Sequence, residues 1–517
     1  MSLERSSGVI LHPTSLCGPF GVGDLGPSAL NWLDFMDSAG LGLWQILPIN
    51  PTGFGNSPYQ SFSAFAGNPN LISPILLVED GLLPLEEIQE HPHFSSKKVD
   101  YHRVTRWKKK IFKIAYRNFR KTAQAQLKNE FESFCSTQAF WLKDFSTYMS
   151  LKDSFRQVAW NQWPQEFKFR KEGALKKFVE KKSRDIGFYD FIQFCFHRQW
   201  QRVHDYAQSK NIKIIGDIPI YVAYDSADVW THPELFELDA DLNPRLIAGV
   251  PPDYFSPSGQ LWGNPLFHWQ NHKVTDFNWW LQRIETLMQK VDQIRLDHFR
   301  GFSGYWEVEA GMPTAEIGRW MKGPGNIFFE AIKKKTGALP FIAENLGVIS
   351  NDVDELMQYF KLPGMRILQF AFGSDAHDPF LSHNYPSHCV AYTGTHDNPT
   401  IKGWYQHLSP QEARFCRSYL NSQEKEIVWS MIRSIWSSVA DYAITPMQDF
   451  LELGKQARMN YPGTVENNWS WRLGTNDLKD KLANRIKEMN TLYGRDKHQP
   501  MQKGPGLVIR YMDPEKP

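Results

Sequence analysis

Three acidic residues of the chain each follow a short apolar run. They are Asp297 in IRLDHFRG, Glu344 in IAENLG and Asp397 in TGTHDN. Carboxylates that share one site repel each other, and this repulsion separates their pKa values. Cleavage of a glycosidic bond needs such a set, because one carboxylate attacks or stabilises the anomeric carbon while a protonated carboxyl group assists the leaving oxygen. Together the three residues predict glycosidic chemistry, although each alone also fits a helix cap or a structural ion pair.

Basic side chains stand beside these carboxylates. Arg295 precedes Asp297 by two residues, so in a strand both side chains point to the same side, and Arg295 is expected to keep Asp297 ionised. His298 and His396 are direct neighbours of the acidic residues and offer donors for sugar hydroxyls. Both histidines also fit the alternative of buried core residues with satisfied hydrogen bonds.

The elements that must position these residues are short β-branched runs that end in polar residues. Eight of them occur in order, at 9–12, 43–47, 213–218, 293–298, 341–344, 365–370, 389–393 and 443–448. Several are separated by amphipathic stretches of helix length, a pattern typical of a parallel sheet buried on both faces. Eight such units predict an α/β fold, a (β/α)8 TIM barrel with large insertions, in which the polar strand ends face the active-site mouth.

A doubly wound open sheet is the alternative fold. The chain has no GxGxxG after a candidate strand and no GxxxxGK[ST], so the usual nucleotide sites of open sheets are missing. We therefore expect residues 1–517 to form a single catalytic barrel. Two insertions interrupt its alternation: 71–205 is charged and mainly helical, whereas 225–290 is rich in Pro, Gly, Asn and Trp and predicts long loops over the cleft.

The composition limits the possible partners. The formal net charge is +2, which gives no reason to expect a nucleic acid or an anionic membrane. The five cysteines are widely spaced without a CxxC, and the N-terminus lacks a signal-peptide pattern, so we expect reduced thiols and a cytoplasmic protein. No sequence pattern predicts a metal site or a cofactor. Aromatic residues make up 14%, and Trp and Tyr near loops suit sugar rings.

The motifs RLDHFRG, IAENLG and YTGTHDN resemble the strand-end motifs of the α-amylase clan. More specifically, the chain resembles the amylomaltases, also called disproportionating enzymes or 4-α-glucanotransferases, glycoside hydrolase family 77, from about residue 8 to about residue 510. The most specific blocks are GNSPYQSFSAFAGNPNLI (55–72), GDIPIYV (216–222), GVPPDYFSPSGQLWGNPLF (249–267), RLDHFRGF (295–302) and MNYPGTVENNWSWR (459–472). After Asp217 the chain lacks the Asn-His pair of amylases, which agrees with amylomaltases and favours transfer over hydrolysis.

The resemblance implies roles for matching positions. Asp297 corresponds to the nucleophile, Glu344 to the acid/base and Asp397 to the stabiliser of the transition state. The positions that correspond to donor-sugar contacts are Tyr59, as an aromatic platform, and Asp217, Arg295, His298 and His396. The positions that correspond to two loops gripping the glucan are Asp253, Tyr254, Phe255 and Trp262, and Asn467, Asn468 and Trp469. Ordinary surface loops with buried aromatic residues are the alternative interpretation of both segments.

The implied function is retaining transfer of α-1,4-glucan segments to the 4-hydroxyl of an acceptor. The expected partners are maltooligosaccharides, glucans derived from starch or glycogen, and glucose as acceptor, with no cofactor. One alternative is an α-glucan hydrolase of the same clan. A second is a catalytically silent glucan-binding scaffold, which has no need of three clustered carboxylates.

Overall fold

The computed structural model of the chain describes residues 3–252, 256–347 and 350–498. Its strands are β1 (Ser6–Ile10), β2 (Leu43–Gln45), β3 (Lys213–Ile218), β4 (Leu246–Val250), β5 (Gln260–Pro265), β6 (Gln293–Leu296), β7 (Gly304–Glu309), β8 (Arg319–Lys322), β9 (Phe341–Ala343), β10 (Gly364–Ile367), β11 (Cys389–Tyr392) and β12 (Tyr442–Pro446). Eight parallel strands close into a barrel in the order β1-β12-β11-β10-β9-β6-β3-β2. The predicted (β/α)8 barrel is therefore confirmed.

Each barrel strand overlaps one of the eight predicted runs, and the differences are at the ends; β1, for example, shares only residues 9 and 10 with the run 9–12. The run 213–218 coincides with β3, whereas β6 ends at Leu296, two residues before the end of the run 293–298. The reason is local, because His298 has a φ of 51°, which a continuing strand cannot accommodate. A short 3-10 helix, Phe299–Phe302, follows directly. This turn points the residues after β6 across the barrel mouth.

The barrel interior is filled below the mouth by side chains of alternate strand positions. Its centre is formed by buried apolar residues, among them Ile10, Leu43, Ile215, Ile342 and Met365. Burial of one such side chain contributes about 1.5–3 kcal/mol. The interior is therefore a packed core, and the cavity in which chemistry takes place lies above it, at the carboxyl ends of the strands.

The helices cover the barrel and build the segment between β2 and β3. They are α1 (Pro27–Ser38), α2 (Pro74–Glu79), α3 (Glu86–Gln89), α4 (Tyr101–Thr122), α5 (Ala125–Thr137), α6 (Ala139–Ser154), α7 (Gln165–Lys168), α8 (Glu172–Ser209), α9 (Ala227–Thr231), α10 (Trp269–Val274), α11 (Asn278–Met288), α12 (Asn326–Thr336), α13 (Asn351–Phe360), α14 (Ile401–Tyr405), α15 (Pro410–Leu420), α16 (Ile427–Ser437), α17 (Met447–Phe450) and α18 (Asp480–Leu492). Within the described residues, no helix has the length and apolar character needed to cross a membrane.

The helical segment between β2 and β3 has its own local signals. The Asp100 side chain accepts a hydrogen bond from the Arg103 N–H and caps α4, and Arg120 and Lys121 lie in the last turn, where cations interact favourably with the helix dipole. Buried Val104, Ile111 and other apolar residues of α4 contribute to the main hydrophobic core. The segment is thereby anchored to the rest of the molecule by its apolar face.

A second sheet lies outside the barrel. It is antiparallel, with the order β5-β4-β7-β8. Two of its strands, β4 and β5, fall in 225–290, so this stretch is more regular than the predicted long loops. The local pattern did not show these strands because β4 depends on a distant partner: Ile247 is paired with Val308 of β7. The sheet and the loops it carries stand beside the end of β6.

Candidate active site

Asp297 and Glu344 lie at the ends of neighbouring strands. In the register of β6 and β9, Leu296 is paired with Ala343, so each acidic residue is the next one along its strand. The Glu344 N–H donates to the Leu296 carbonyl oxygen at 3.1 Å, and the Phe299 N–H donates to the Glu344 carbonyl oxygen at 3.1 Å. This pairing holds the two carboxylates side by side at the barrel mouth.

Arg295 is the cationic centre of the site. Its Nη1 donates to both carboxylate oxygens of Asp217, at 2.9 and 2.8 Å, and to Oδ1 of Asp297, at 2.8 Å. The Arg295 and Asp217 side chains are only 4% and 1% exposed, whereas Asp297 is 28% exposed. Asp217 is therefore a buried anchor that fixes the guanidinium, and Asp297 is the carboxylate that remains open to the cleft.

The pKa values of the two open carboxyl groups are raised. Burial raises the pKa of Asp297 to about 7, although the Arg295 charge opposes this rise. Burial also raises the pKa of Glu344 to about 8, with Arg295 again opposing and the Asp297 charge adding to the rise. The expectation that Arg295 keeps Asp297 ionised was thus only partly right, since burial has the larger effect. Asp297 nevertheless loses its proton first, because Arg295 contacts it directly.

Glu344 is oriented by backbone donors. Its Oε2 accepts a hydrogen bond from the His298 N–H at 2.7 Å, and its Oε1 accepts one from the Leu346 N–H at 3.2 Å. The left-handed backbone of His298 turns that N–H toward the carboxylate. The turn after β6 therefore has two effects. Asp297 is its first residue, and the His298 N–H positions the Glu344 carboxylate.

Tyr59 and His396 form a second linked pair. The Tyr59 hydroxyl donates to Oδ2 of Asp217 at 2.7 Å and lies 2.9 Å from Nε2 of His396. Since the hydroxyl has one proton and uses it on Asp217, Nε2 of His396 carries the proton and donates to the Tyr59 oxygen. Burial lowers the pKa of His396, so the ring is neutral. The two rings are nearly parallel, with centroids 5.4 Å apart, and the chain Arg295–Asp217–Tyr59–His396 fixes their orientation.

Asp397 is more open than Asp297, with 44% of its side chain exposed against 28%. Its Oδ1 accepts a hydrogen bond from Nδ2 of Asn460 at 2.6 Å, and its carbonyl oxygen accepts one from the Arg458 guanidinium. The Asn460 N–H also donates to the His396 carbonyl oxygen at 3.1 Å. Sequence reasoning missed Asn460 and Arg458, although Asn460 lies inside the block 459–472 that carried part of the resemblance.

Replacing Asn460 with alanine removes a hydrogen bond that orients Asp397. A hydrogen bond to a charged group contributes about 1.5–3 kcal/mol, so we expect kcat/KM to fall by about 10- to 100-fold while the thermal unfolding midpoint stays close to that of the wild type. Asn129→Ala, at an exposed position of α5, is the matched control and should be indistinguishable from wild type. Unchanged kcat/KM in Asn460→Ala would show that Asp397 needs no such support.

Trp262 and His298 lie beside Glu344. Their rings meet edge to face, with centroids 4.7 Å apart and an angle of 89°. Burial lowers the pKa of His298 to about 3, so this ring is neutral and can bind a hydroxyl without adding charge. Trp262 belongs to β5 of the antiparallel sheet, which brings this part of the predicted loop to the cleft.

Of the three binding residues predicted in the segment 460–472, one lies beside the site. The Trp469 ring lies 5.8 Å from Tyr59 and 6.0 Å from His396, measured between centroids. Asn468 instead holds its own loop, because its Oδ1 accepts from the Tyr461 N–H at 2.9 Å and its Nδ2 donates to the Thr464 carbonyl oxygen at 2.9 Å. Asn467 is exposed, with a φ of 63°.

Three of the predicted binding residues, Asp253, Tyr254 and Phe255, lie outside the described residues. Among the residues that are described, no group of three or more His, Cys, Asp or Glu side chains has the arrangement of a metal site.

The barrel mouth combines adjacent carboxylates that have raised pKa values with a buried arginine and aromatic rings. These are the groups that an enzyme acting on glycosidic bonds requires. Comparison with known proteins gives the family. Residues 11–477 match the sequence profile described as 4-alpha-glucanotransferase. The chain is 46% identical over 496 residues to the 4-alpha-glucanotransferase of Synechocystis sp., covering 95% of this chain and 98% of that protein.

Two further comparisons agree. The 4-alpha-glucanotransferase of Thermus thermophilus is 45% identical over 497 residues, covering 95% of this chain and 99% of that protein. The structure of the amylomaltase from Streptococcus agalactiae in complex with acarbose superimposes with a TM-score of 0.93 at 39% identity, covering 95% of this chain and all of that one. The chain belongs to the 4-α-glucanotransferase family, and its reaction is transfer of glucan segments.

Proposed function

We propose that the chain transfers α-1,4-glucan segments by a retaining double displacement in which Asp297 is the nucleophile and Glu344 the general acid/base. The observation that carries this proposal is the adjacent placement of the two residues on paired strands. Neighbouring strands lie about 4.8 Å apart, which suits the separation of about 5–5.5 Å between carboxyl groups in retaining enzymes. Inverting enzymes need about 6.5–9.5 Å to hold a water molecule.

In the first step, Glu344 donates its proton to the scissile glycosidic oxygen while Asp297 attacks the anomeric carbon. The bond from that carbon to the oxygen breaks, the shortened chain leaves with the proton, and a β-linked glycosyl ester forms on Asp297. In the second step, Glu344 takes the proton of an acceptor 4-hydroxyl, whose oxygen attacks the same carbon and releases Asp297. Two inversions give net retention, and both carboxyl groups return to their starting states.

The remaining side chains hold the donor sugar. Asp397 is open to the cleft and binds the 2- and 3-hydroxyls as the ring flattens, while Tyr59 lies beneath the ring and neutral His298 and His396 bind hydroxyls. Arg295 stabilises Asp297 when it carries charge. We assign Asp217 to positioning Arg295 and Tyr59, since its side chain is only 1% exposed. Trp469 and Trp262 offer apolar faces to neighbouring sugar units.

The substrates that fit this site are maltooligosaccharides and longer glucans derived from starch or glycogen, with glucose as the smallest acceptor. The structurally related amylomaltase that binds acarbose supports recognition of oligosaccharides of this kind. A bound acceptor sugar disfavours water as acceptor, because it fills the acceptor side of the cleft and covers the glycosyl ester.

We also propose a single catalytic unit for the chain, with 71–205 as a helical insertion and 225–290 as the segment that borders the cleft. All five cysteines are free, which supports a reducing compartment such as the cytoplasm.

Incubation with maltotriose tests the proposed reaction. Transfer produces glucose together with a ladder of chains longer than maltotriose, and chromatography of the early products resolves the ladder. Products that are only shorter than maltotriose would identify the chain as a hydrolase. Binding of maltotriose without any turnover would identify a glucan-binding scaffold.

The pH dependence follows from the raised pKa values. The free enzyme is active with Asp297 ionised and Glu344 protonated, so kcat/KM rises as Asp297 loses its proton and falls as Glu344 loses its own. Because burial raises these pKa values to about 7 and about 8, both limbs should lie above the ordinary carboxyl range, as two values that belong to the pair. A profile of kcat/KM for maltotriose that already falls near pH 4–5, roughly the ordinary glutamate pKa, would contradict this.

A further inference from the structure

Trp320 is unusual among the tryptophans of this protein. It is 43% exposed, and it is the single exposed tryptophan in the residues that the structure describes. Tryptophan is highly buried on average, so an exposed indole is a candidate binding surface. Trp320 lies on the edge strand β8.

The Trp320 ring is held rigidly in place. The guanidinium carbon of Arg300 lies over one face, 3.9 Å from the ring centroid, which is a cation–π contact. Trp306, its cross-strand partner on β7, meets it at 5.3 Å and 64°. With Arg300 on one face and Trp306 at an angle to the ring, Trp320 is a fixed flat apolar surface, which loses little entropy when a ligand stacks on it.

The strand that carries Trp320 is tied to the active site. The Gly323 N–H donates to the Ser303 carbonyl oxygen at 2.7 Å, and the Gly325 N–H donates to the Phe302 carbonyl oxygen at 2.8 Å. Both acceptors belong to the turn that follows Asp297 and His298. Arg300, on the same turn, is only three residues from Asp297, a chain distance of at most about 11 Å. The ring is therefore anchored to the segment that begins at the nucleophile.

The contacts also place Trp320 on the side of Glu344. The Phe299 N–H donates to the Glu344 carbonyl oxygen, and Arg300 follows Phe299. The Ser303 hydroxyl donates to Asp352, which lies in the first turn of α13, after β9. Since the acid/base residue faces the leaving and the accepting oxygen, this is the side from which the leaving chain departs and the acceptor enters.

We propose that Trp320, supported by Arg300 and Trp306, is a remote stacking platform for the leaving-chain and acceptor glucan. A sugar unit removed from the reacting 4-hydroxyl would stack its apolar face on the indole face that Arg300 does not cover. This inference rests on the transfer reaction proposed above and adds a dependence on acceptor length: glucose is too short to reach the platform.

The test compares short and long acceptors in Trp320→Ala. With α-maltosyl fluoride as donor, we expect the KM for maltotetraose to rise several-fold, up to about tenfold, which is the scale of a lost aromatic contact. The KM for glucose and both kcat values should stay at wild-type levels. Trp320→Phe should retain most of the wild-type preference for the longer acceptor. Tyr359→Ala, which removes another exposed aromatic residue, should behave as wild type.

The platform is refuted if Trp320→Ala leaves both KM values unchanged or raises them by the same factor. Calorimetric titration of maltohexaose into Asp297→Asn, with and without Trp320→Ala, gives a second readout: weaker binding in the double variant is expected, and equal binding overturns the proposal. Failure of the catalytic assignment is distinguishable, because it would leave Asp297→Asn active in the same transfer assay.

Discussion

Asp297→Asn should lose transfer activity by about 10⁴-fold or more, the scale seen when a covalent nucleophile is removed. The amide group of asparagine has nearly the same shape as the carboxylate, so the fold should persist. The amide cannot form a glycosyl ester at a useful rate. Initial rates of glucose release from maltotriose measure the loss, and circular dichroism checks the fold.

Asp375→Asn is the matched control for this substitution, since its side chain is 79% exposed. It should retain full activity. An Asp297→Asn variant that transfers glucan at a rate near that of the wild type would remove Asp297 from the role of nucleophile. If Asp297→Asn destabilises the fold, its unfolding midpoint will be lower than that of the wild type. In that case Asp297→Ser, which also lacks the carboxylate, is used for the same measurement of activity.

Glu344→Gln should show a loss that depends on the leaving group. With maltotriose as donor the first step needs the Glu344 proton, so we expect a decrease on the order of 10²–10⁴-fold, typical of a missing general acid. With α-maltosyl fluoride as donor the leaving fluoride needs no proton, so the first step should remain close to the wild-type rate. The second step still lacks its base, and the glycosyl ester should accumulate.

Stopped-flow release of fluoride, compared with steady-state turnover, separates the two steps. A burst of about one fluoride per enzyme followed by slow turnover is the expected result. Equal losses in the rate of the first step with maltotriose and with the fluoride would mean that Glu344 does not act as an acid on the leaving oxygen. Azide, which attacks without needing a base, should restore turnover of the fluoride in Glu344→Gln and yield the α-azide, because its attack inverts the β-linked glycosyl ester.

The barrel could be predicted because its signals are local. Each strand is an apolar run that ends in a polar residue, and the run 213–218 coincides with β3 because its side chains are buried on both faces from Ile214 to Ile218. The antiparallel sheet could not be predicted in the same way. Its strand β4 contains Gly249 and depends on pairing with β7, so its strand character comes from a partner distant in the chain.

In the candidate site, too, the residues with a local signal could be predicted and the contacts between distant segments could not. Asp297, Glu344 and Asp397 could be named from residue type and position after an apolar run. The hydrogen bond from Asn460 to Asp397 joins two loops whose proximity no local pattern records. The assignment of Asn468 to substrate binding came from resemblance alone, and in the structure its amide holds the turn from Tyr461 to Thr464.

In the proposed mechanism, a glucan is carried on Asp297 between donor and acceptor. Mass spectrometry of Glu344→Gln, quenched in acid after reaction with α-maltosyl fluoride and digested with pepsin, tests it most directly. The expected result is a peptide that contains Asp297 and has gained the mass of one maltosyl group, with fragmentation placing the group on that carboxylate. A label on Asp397 or on any other residue, or fluoride release without any labelled peptide, would exclude Asp297 as the nucleophile.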